Sequence, residues 1–248
     1  MKSVKITAGL AVALCAMLMS CMFIIAGCSQ GTTSTSGASS ASGAASTESA
    51  DATSASGATL EKAEATGPYA TGIHHATLTV EGYDPIAIEL DADAAPTSVA
   101  NFCALASDGY YNGLTFYRFV EGFCMQGGTK GNSAAGSDPN LAEIVGEFSA
   151  NGYDNPLADD FKKGTVAMAR SGDPNSARST FFITLDTNPG VSQSLNGLYA
   201  AFGTIDETGM KTVDKIVEDY LPNVSNPQMG AIDDEEKQAK IASITIDD

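Results

Sequence analysis

Few side chains in this sequence have the type and spacing to do chemistry. One cation, Arg118, and one carboxamide, Gln126, stand in the otherwise mostly apolar run Phe116-Tyr117-Arg118-Phe119-Val120-Glu121-Gly122-Phe123-Cys124-Met125-Gln126-Gly127-Gly128. A guanidinium is a permanently charged, rigid donor, and an amide both donates and accepts. Taken alone, the run reads as an amphipathic hairpin whose arginine faces solvent. His74 and His75 are adjacent on a strand-like stretch, so they point to opposite faces and form no chelate. Cys103 and Cys124 have no His, Cys or acid at metal-ligand spacing. A disulfide between them is open to an exported chain. The favoured reading is two buried thiols, one on a helix and one on a strand. Nothing calls for a metal or cofactor.

The elements around these residues follow from period and punctuation. Alternation predicts strands over Ala76–Val80, Pro85–Leu90, Leu114–Phe119 and the segment ending at Gly127-Gly128. It predicts others at Gly164–Ala169, Thr180–Leu185, Tyr199–Ile205 and Ile241–Ile246, with a further short one at Glu143–Phe148. One helix starts at Pro96 with Val99, Phe102, Cys103 and Ala106 on its buried face and stops near Asp108-Gly109. A second runs from about Met210 to Tyr220, with Met210, Val213, Ile216, Val217 and Tyr220 inward. Thr129 to about Asp160 is a long Gly/Ser/Asn-rich region, and Phe202 reads as core. Many short strands without a βαβ rhythm argue for a mainly β fold, a closed antiparallel barrel that leaves no exposed edge.

The chain has 248 residues and a formal charge of −17, which argues against nucleic acid as a partner. Lys2 and Lys5 precede an apolar run from Ile6 to Ala26, which ends at Ile25-Ala26-Gly27-Cys28. Small residues before a cysteine at the end of such a run resemble a bacterial lipobox. That resemblance implies a signal peptide over 1–27 and an acylated Cys28, hence an extracytoplasmic, membrane-anchored protein. Residues 28–66 are rich in Ser, Thr, Ala and Gly and read as a flexible linker. A tether of about forty such residues spans roughly 35 Å root mean square. The folded domain is placed at 67–248.

Phe116-Tyr117-Arg118 followed by Gly122-Phe123-Cys124-Met125-Gln126-Gly127-Gly128 resembles the cyclophilin signature. Gly164-Thr165-Val166-Ala167-Met168-Ala169-Arg170, Asp173 to Ile183, Leu195-Asn196-Gly197 and Phe202-Gly203 match the same family in the same order. The resemblance implies a closed eight-stranded barrel capped by two α-helices, with peptidyl-prolyl cis/trans isomerase activity on X-Pro segments of unfolded or exported proteins. It makes Arg118 catalytic. It places Phe123, Phe182 and Leu195 around the proline, Gln126 on the peptide backbone, and Ala169 and Arg170 on the strand that pairs with the peptide. Phe116, Cys124, Thr180 and Tyr199 complete the implied substrate-binding set. The expected state is a monomer.

Departures from the family pattern accompany the match. Thr180 stands where most members have Gln, Cys124 where many have Met, and Tyr199 where many have His. The loop Thr184 to Ser194 is a few residues long for the family, and Ser194 falls at about the place of a family tryptophan. Thr180 is too short to reach far toward a peptide, which keeps open a second reading: a tethered proline-peptide-binding or scaffold module with weak or no turnover.

Overall fold

Alternation sets the first strands. In the computed structural model, which describes residue 65 and residues 67–186 and 188–248, β1 (Ile73–Val80) turns His74, Ala76, Leu78 and Val80 inward. Strand β2 (Ile86–Asp91) does the same with Ile86, Ile88 and Leu90, and the two pair antiparallel with Ala76 opposite Ile88. The expected signal peptide, Cys28 and nearly all of the expected linker lie outside the described residues.

Helix α1 (Pro96–Ser107) begins at a proline, where a missing N–H costs nothing. No neighbouring side chain caps it. The buried carboxylate of Glu147 does so from elsewhere in the chain, accepting from the Thr97 N–H at 2.8 Å, the Ser98 N–H at 2.9 Å and the Ser98 hydroxyl at 2.7 Å. Charge-assisted bonds to a helix N-terminus are strong and favoured by the helix dipole. They pin the long loop onto the barrel, where Val99, Phe102, Cys103 and Ala106 are buried as the spacing predicts.

The hairpin follows as β3 (Thr115–Val120) and β4 (Cys124–Gly127). Gly127 is needed because a Cβ there would lie 2.3 Å from the Thr115 carbonyl oxygen and 2.7 Å from Phe116 Cα. A four-residue helix α2 (Pro156–Asp159) leads to β5 (Thr165–Met168) and β6 (Phe181–Thr184). Helix α3 (Pro189–Leu195), β7 (Ala201–Thr204), α4 (Glu207–Tyr220) and β8 (Ala239–Ile246) complete the order. The strands close as β1-β2-β7-β5-β6-β4-β3-β8, every pair antiparallel. Inside, Phe102, Tyr111, Phe116, Phe181 and Phe202 pack ring on ring at centroid distances of 5.1–5.6 Å. Each contributes roughly 2–3 kcal/mol of burial.

The expected barrel is the observed one, with three corrections. Two short helices, α2 and α3, join the two expected. Each starts with an Asn side chain accepting from the first-turn N–H groups, Asn155 from Ala158 and Asn188 from Gly190 and Val191. No strand forms over Glu143–Phe148. Only an isolated bridge between Ile144 and Ala177 does, because Glu147 turns away to cap α1. The aromatic ring of Phe116, expected at the substrate site, lies wholly in the barrel interior, edge-on to Phe181.

Candidate active site

The site begins with a backbone irregularity. Phe116 pairs with Gly127, yet Arg118 pairs with Gln126, so β3 sets two residues against one of β4. Such a bulge re-aims side chains. Phe116 and Phe119 stay buried in the core, while Tyr117 and Arg118 both reach the Gln126 side chain. In register, Arg118 faces Gln126 on β4, Gln126 faces Phe182 on β6, and Phe182 faces Ala167 on β5. A single row thus crosses four strands and carries cation, amide and aromatic ring.

Arg118 is half-buried and held on two sides. Its Nε donates to the Met229 carbonyl at 2.8 Å. Its Nη1 donates to Gln126 Oε1 at 2.8 Å and to Cys124 Sγ at 3.2 Å. The guanidinium carbon lies 5.9 Å from the centroid of the Phe123 ring. All these partners are neutral, and among the described residues Arg118 forms no ion pair and its Nη2 has no hydrogen-bond partner. The charge is therefore fixed in direction but not cancelled. Burial pushes the Cys124 thiol up to about 11 against the pull of Arg118, so it stays protonated beside the cation.

Phe182 is 4% exposed, stacked on Phe161 at 6.2 Å and met edge-on by Tyr199 at 5.7 Å. Leu195, 2% exposed, comes from the last turn of α3. Thr180 is half-buried. The Ala169 N–H donates to the Thr180 carbonyl at 2.9 Å, which fixes the end of β5 against β6.

The Arg170 guanidinium is engaged elsewhere. Nε and Nη2 donate to the Leu198 carbonyl at 3.1 and 2.8 Å, and Nη1 donates to Ser171 O at 2.9 Å. Its plane lies near Phe148 and Tyr199, at 5.2 and 4.7 Å from their centroids. The structure therefore gathers Arg118, Phe123, Cys124 and Gln126 around one guanidinium, and Phe182 with Tyr199 around a second ring cluster. Arg170 supports that cluster from behind, and Phe116 joins neither.

Three contributors escape the sequence reading. Tyr117, 1% exposed, accepts from Gln126 Nε2 at 3.3 Å. Met229 supplies only a backbone carbonyl, which no side-chain pattern can announce. Phe161 sits in the short connection between α2 and β5, where no periodicity marks it.

Residues 75–246 match the sequence profile of the cyclophilin type peptidyl-prolyl cis-trans isomerase/CLD family. The chain belongs to this family. A probable peptidyl-prolyl cis-trans isomerase of Brucella suis is 43% identical over 136 residues, covering 53% of this chain and 65% of that protein. Peptidyl-prolyl cis-trans isomerase A of Dickeya dadantii is 35% identical over 156 residues, covering 62% and 77%. A crystal structure of a Cryptosporidium parvum cyclophilin type peptidyl-prolyl cis-trans isomerase superposes with a TM-score of 0.57 at 26% identity, covering 71% of this chain and 99% of that one. A second structure of the same cyclophilin, obtained in the presence of the dipeptide Ala-Pro, gives 0.55 at 26% identity, covering 70% and 99%.

Proposed function

We propose that this cyclophilin domain is a peptidyl-prolyl cis/trans isomerase that acts on exported proteins while tethered by acylated Cys28 to the outer face of a bacterial membrane. The observation that carries the catalytic part is the state of Arg118. Its guanidinium is clamped through Nε and Nη1 by neutral groups and leaves Nη2 without a hydrogen-bond partner among the described residues.

Rotation about an X-Pro bond faces a barrier of roughly 18–20 kcal/mol because the planar amide is resonance-stabilised. In the twisted state the proline nitrogen regains a lone pair. A donor fixed beforehand beside that nitrogen stabilises the twisted amide more than the planar one, which is what lowers a barrier. Nη2 of Arg118 is that donor. Phe123, Phe182 and Leu195 bind the ring and exclude water, which strengthens the cation's field. No bond to carbon is made or broken, so the reaction asks for no nucleophile and no proton shuttle. A gain of about 10⁵ in rate needs about 7 kcal/mol of differential stabilisation.

The Cryptosporidium structure obtained in the presence of the dipeptide Ala-Pro supports a proline-containing ligand for this site. The lipobox-like end of the apolar run supports the anchor. A protease-coupled isomerisation assay with X-Pro peptides tests the first claim. Acceleration that collapses in folded Arg118→Ala is the expected result, and folded wild type without acceleration would leave only a binding module. For the second claim, Cys28→Ala is expected to abolish incorporation of labelled palmitate and membrane fractionation. Unchanged labelling would overturn the anchor.

A further inference from the structure

We infer that Tyr117 is a positioning residue of this site, acting through the Gln126 amide on the Arg118 guanidinium. The inference deepens the isomerase reading and rests on it.

The donor and acceptor types permit only one arrangement. A guanidinium has no acceptor, so the Gln126 oxygen must face Arg118. Oε1 accepts from Nη1 at 2.8 Å, and Nε2 is left pointing at the Tyr117 hydroxyl at 3.3 Å. The phenol must therefore accept from the amide. The phenol itself cannot wander, because Tyr117 is 1% exposed and its backbone carbonyl accepts from the Ile232 N–H at 2.9 Å. A relay of Arg118, Gln126 and Tyr117 thus runs over β3 and β4, anchored at its far end by a packed ring.

The consequence is geometric. Without the hydroxyl, the terminal torsion of Gln126 is broad and two-fold, and the amide loses the partner that opposes its rotation. Nη1 then loses a fixed acceptor, and the direction of Nη2 loosens. Burial pushes the phenol above its ordinary range, which keeps it protonated through the neutral range.

The test is a double-mutant cycle on the full-length protein, with kcat and KM measured on one X-Pro peptide. Tyr117→Phe is expected to lower kcat/KM by about five- to ten-fold, chiefly in kcat, the size expected from losing one hydrogen bond. In a Gln126→Ala background the same change is expected to cost less than about two-fold. Equal factors in both backgrounds would make Tyr117 a packing residue and overturn the inference, as would no loss in the single variant. Should Tyr117→Phe fail to fold, 3-fluorotyrosine at position 117 keeps the shape and weakens the phenol as an acceptor, with a loss of about two- to three-fold expected only when Gln126 is present; no loss would overturn the inference. If wild type shows no turnover, the isomerase reading has failed. The relay is then judged by nuclear magnetic resonance of the Arg118 Nε–H and Gln126 side-chain amide: both must shift in Tyr117→Phe, and unmoved resonances would overturn it.

Discussion

Arg118 and Arg170 are the same residue type in the same domain, each half-buried and each close to an aromatic ring, yet their surroundings differ in kind. Arg170 gives every donor nitrogen to backbone carbonyls, Leu198 and Ser171, with Phe148 and Tyr199 beside its plane. Arg118 gives Nε to one carbonyl and Nη1 to an amide and a thiol, and among the described residues keeps Nη2. A fully satisfied guanidinium is a structural clamp. A partly satisfied one, held rigid by neutral partners, is a preorganised donor.

The widest separation between the two should come from deleting each side chain. Arg118→Ala is expected to lower kcat/KM by about 10²–10³, the usual result of removing a preorganised donor, with the melting temperature nearly unchanged. Arg118→Lys keeps the charge but not the fork and should recover only part of the loss. Next comes the support behind Arg118. Gly230, next to the Met229 carbonyl, has φ +70°, and a Cβ there would lie 2.5 Å from both the Phe119 carbonyl oxygen and Val120 Cγ2. Gly230→Ala is expected to destabilise by about 1–3 kcal/mol, as seen for strained backbone, and to lower turnover about ten-fold as that carbonyl moves.

Arg170→Ala should give the reverse pattern. Stability is expected to fall by about 1–3 kcal/mol, kcat to stay within about two-fold, and KM to rise several-fold, roughly 1 kcal/mol of binding, because Tyr199 and Leu198 lose their backing. A large loss of kcat at unchanged stability would erase the distinction between the two arginines. The smallest effect concerns pH. No group touching Arg118 changes charge near neutrality, since the guanidinium stays charged and burial raises both Tyr117 and Cys124. The rate is therefore expected to be flat from about pH 6 to 9, and an inflection there would mean that another group takes part. Stability responds at the alkaline end. Cys103 is pushed up to about 12 and Tyr111 well above its ordinary value by burial. Their protonated forms are favoured in the folded state. That contribution is whole below the unfolded values of about 9–10 and is lost as pH rises through the folded ones.

The barrel was legible because its signals are local. Ile86, Ile88 and Leu90 alternate, and Val99, Phe102, Cys103 and Ala106 recur at helical spacing, and each set lies where its period puts it. Helix α3 was not legible. Only Val191 and Leu195 of its seven residues are buried, and its start is an Asn-Pro pair inside what otherwise reads as a loop. The region from Thr129 to Asp160 is ordered by bonds between side chains and distant backbone, such as the Asn132 oxygen accepting from the Thr115 N–H and the Asn155 amide donating to the Glu147 and Ala201 carbonyls. Such bonds have no period. At the site, Arg118, Phe123, Cys124 and Gln126 come from adjacent strands of one hairpin, which is why a contiguous motif could mark them. Strict alternation puts Phe116 on the face of Arg118, and only the bulge at Tyr117 separates them.

Barrel closure bears on when the protein can become active. Strand β1 joins β8 through pairs such as Thr77 with Thr245, and the Thr77 hydroxyl donates to Asp247, 170 residues away in the chain. A ribosome or a translocation channel delivers strands in order, so β1 keeps one edge open until β8 emerges. High contact order slows folding, and an unpaired edge invites pairing with other chains. Vectorial delivery thus makes the pairing of β8 the gate to a finished domain. Ribosome-stalled chains ending before Ala239 should be digested readily by protease, whereas chains with β8 clear of the exit tunnel should resist. Resistance in the shorter chains would place the gate earlier.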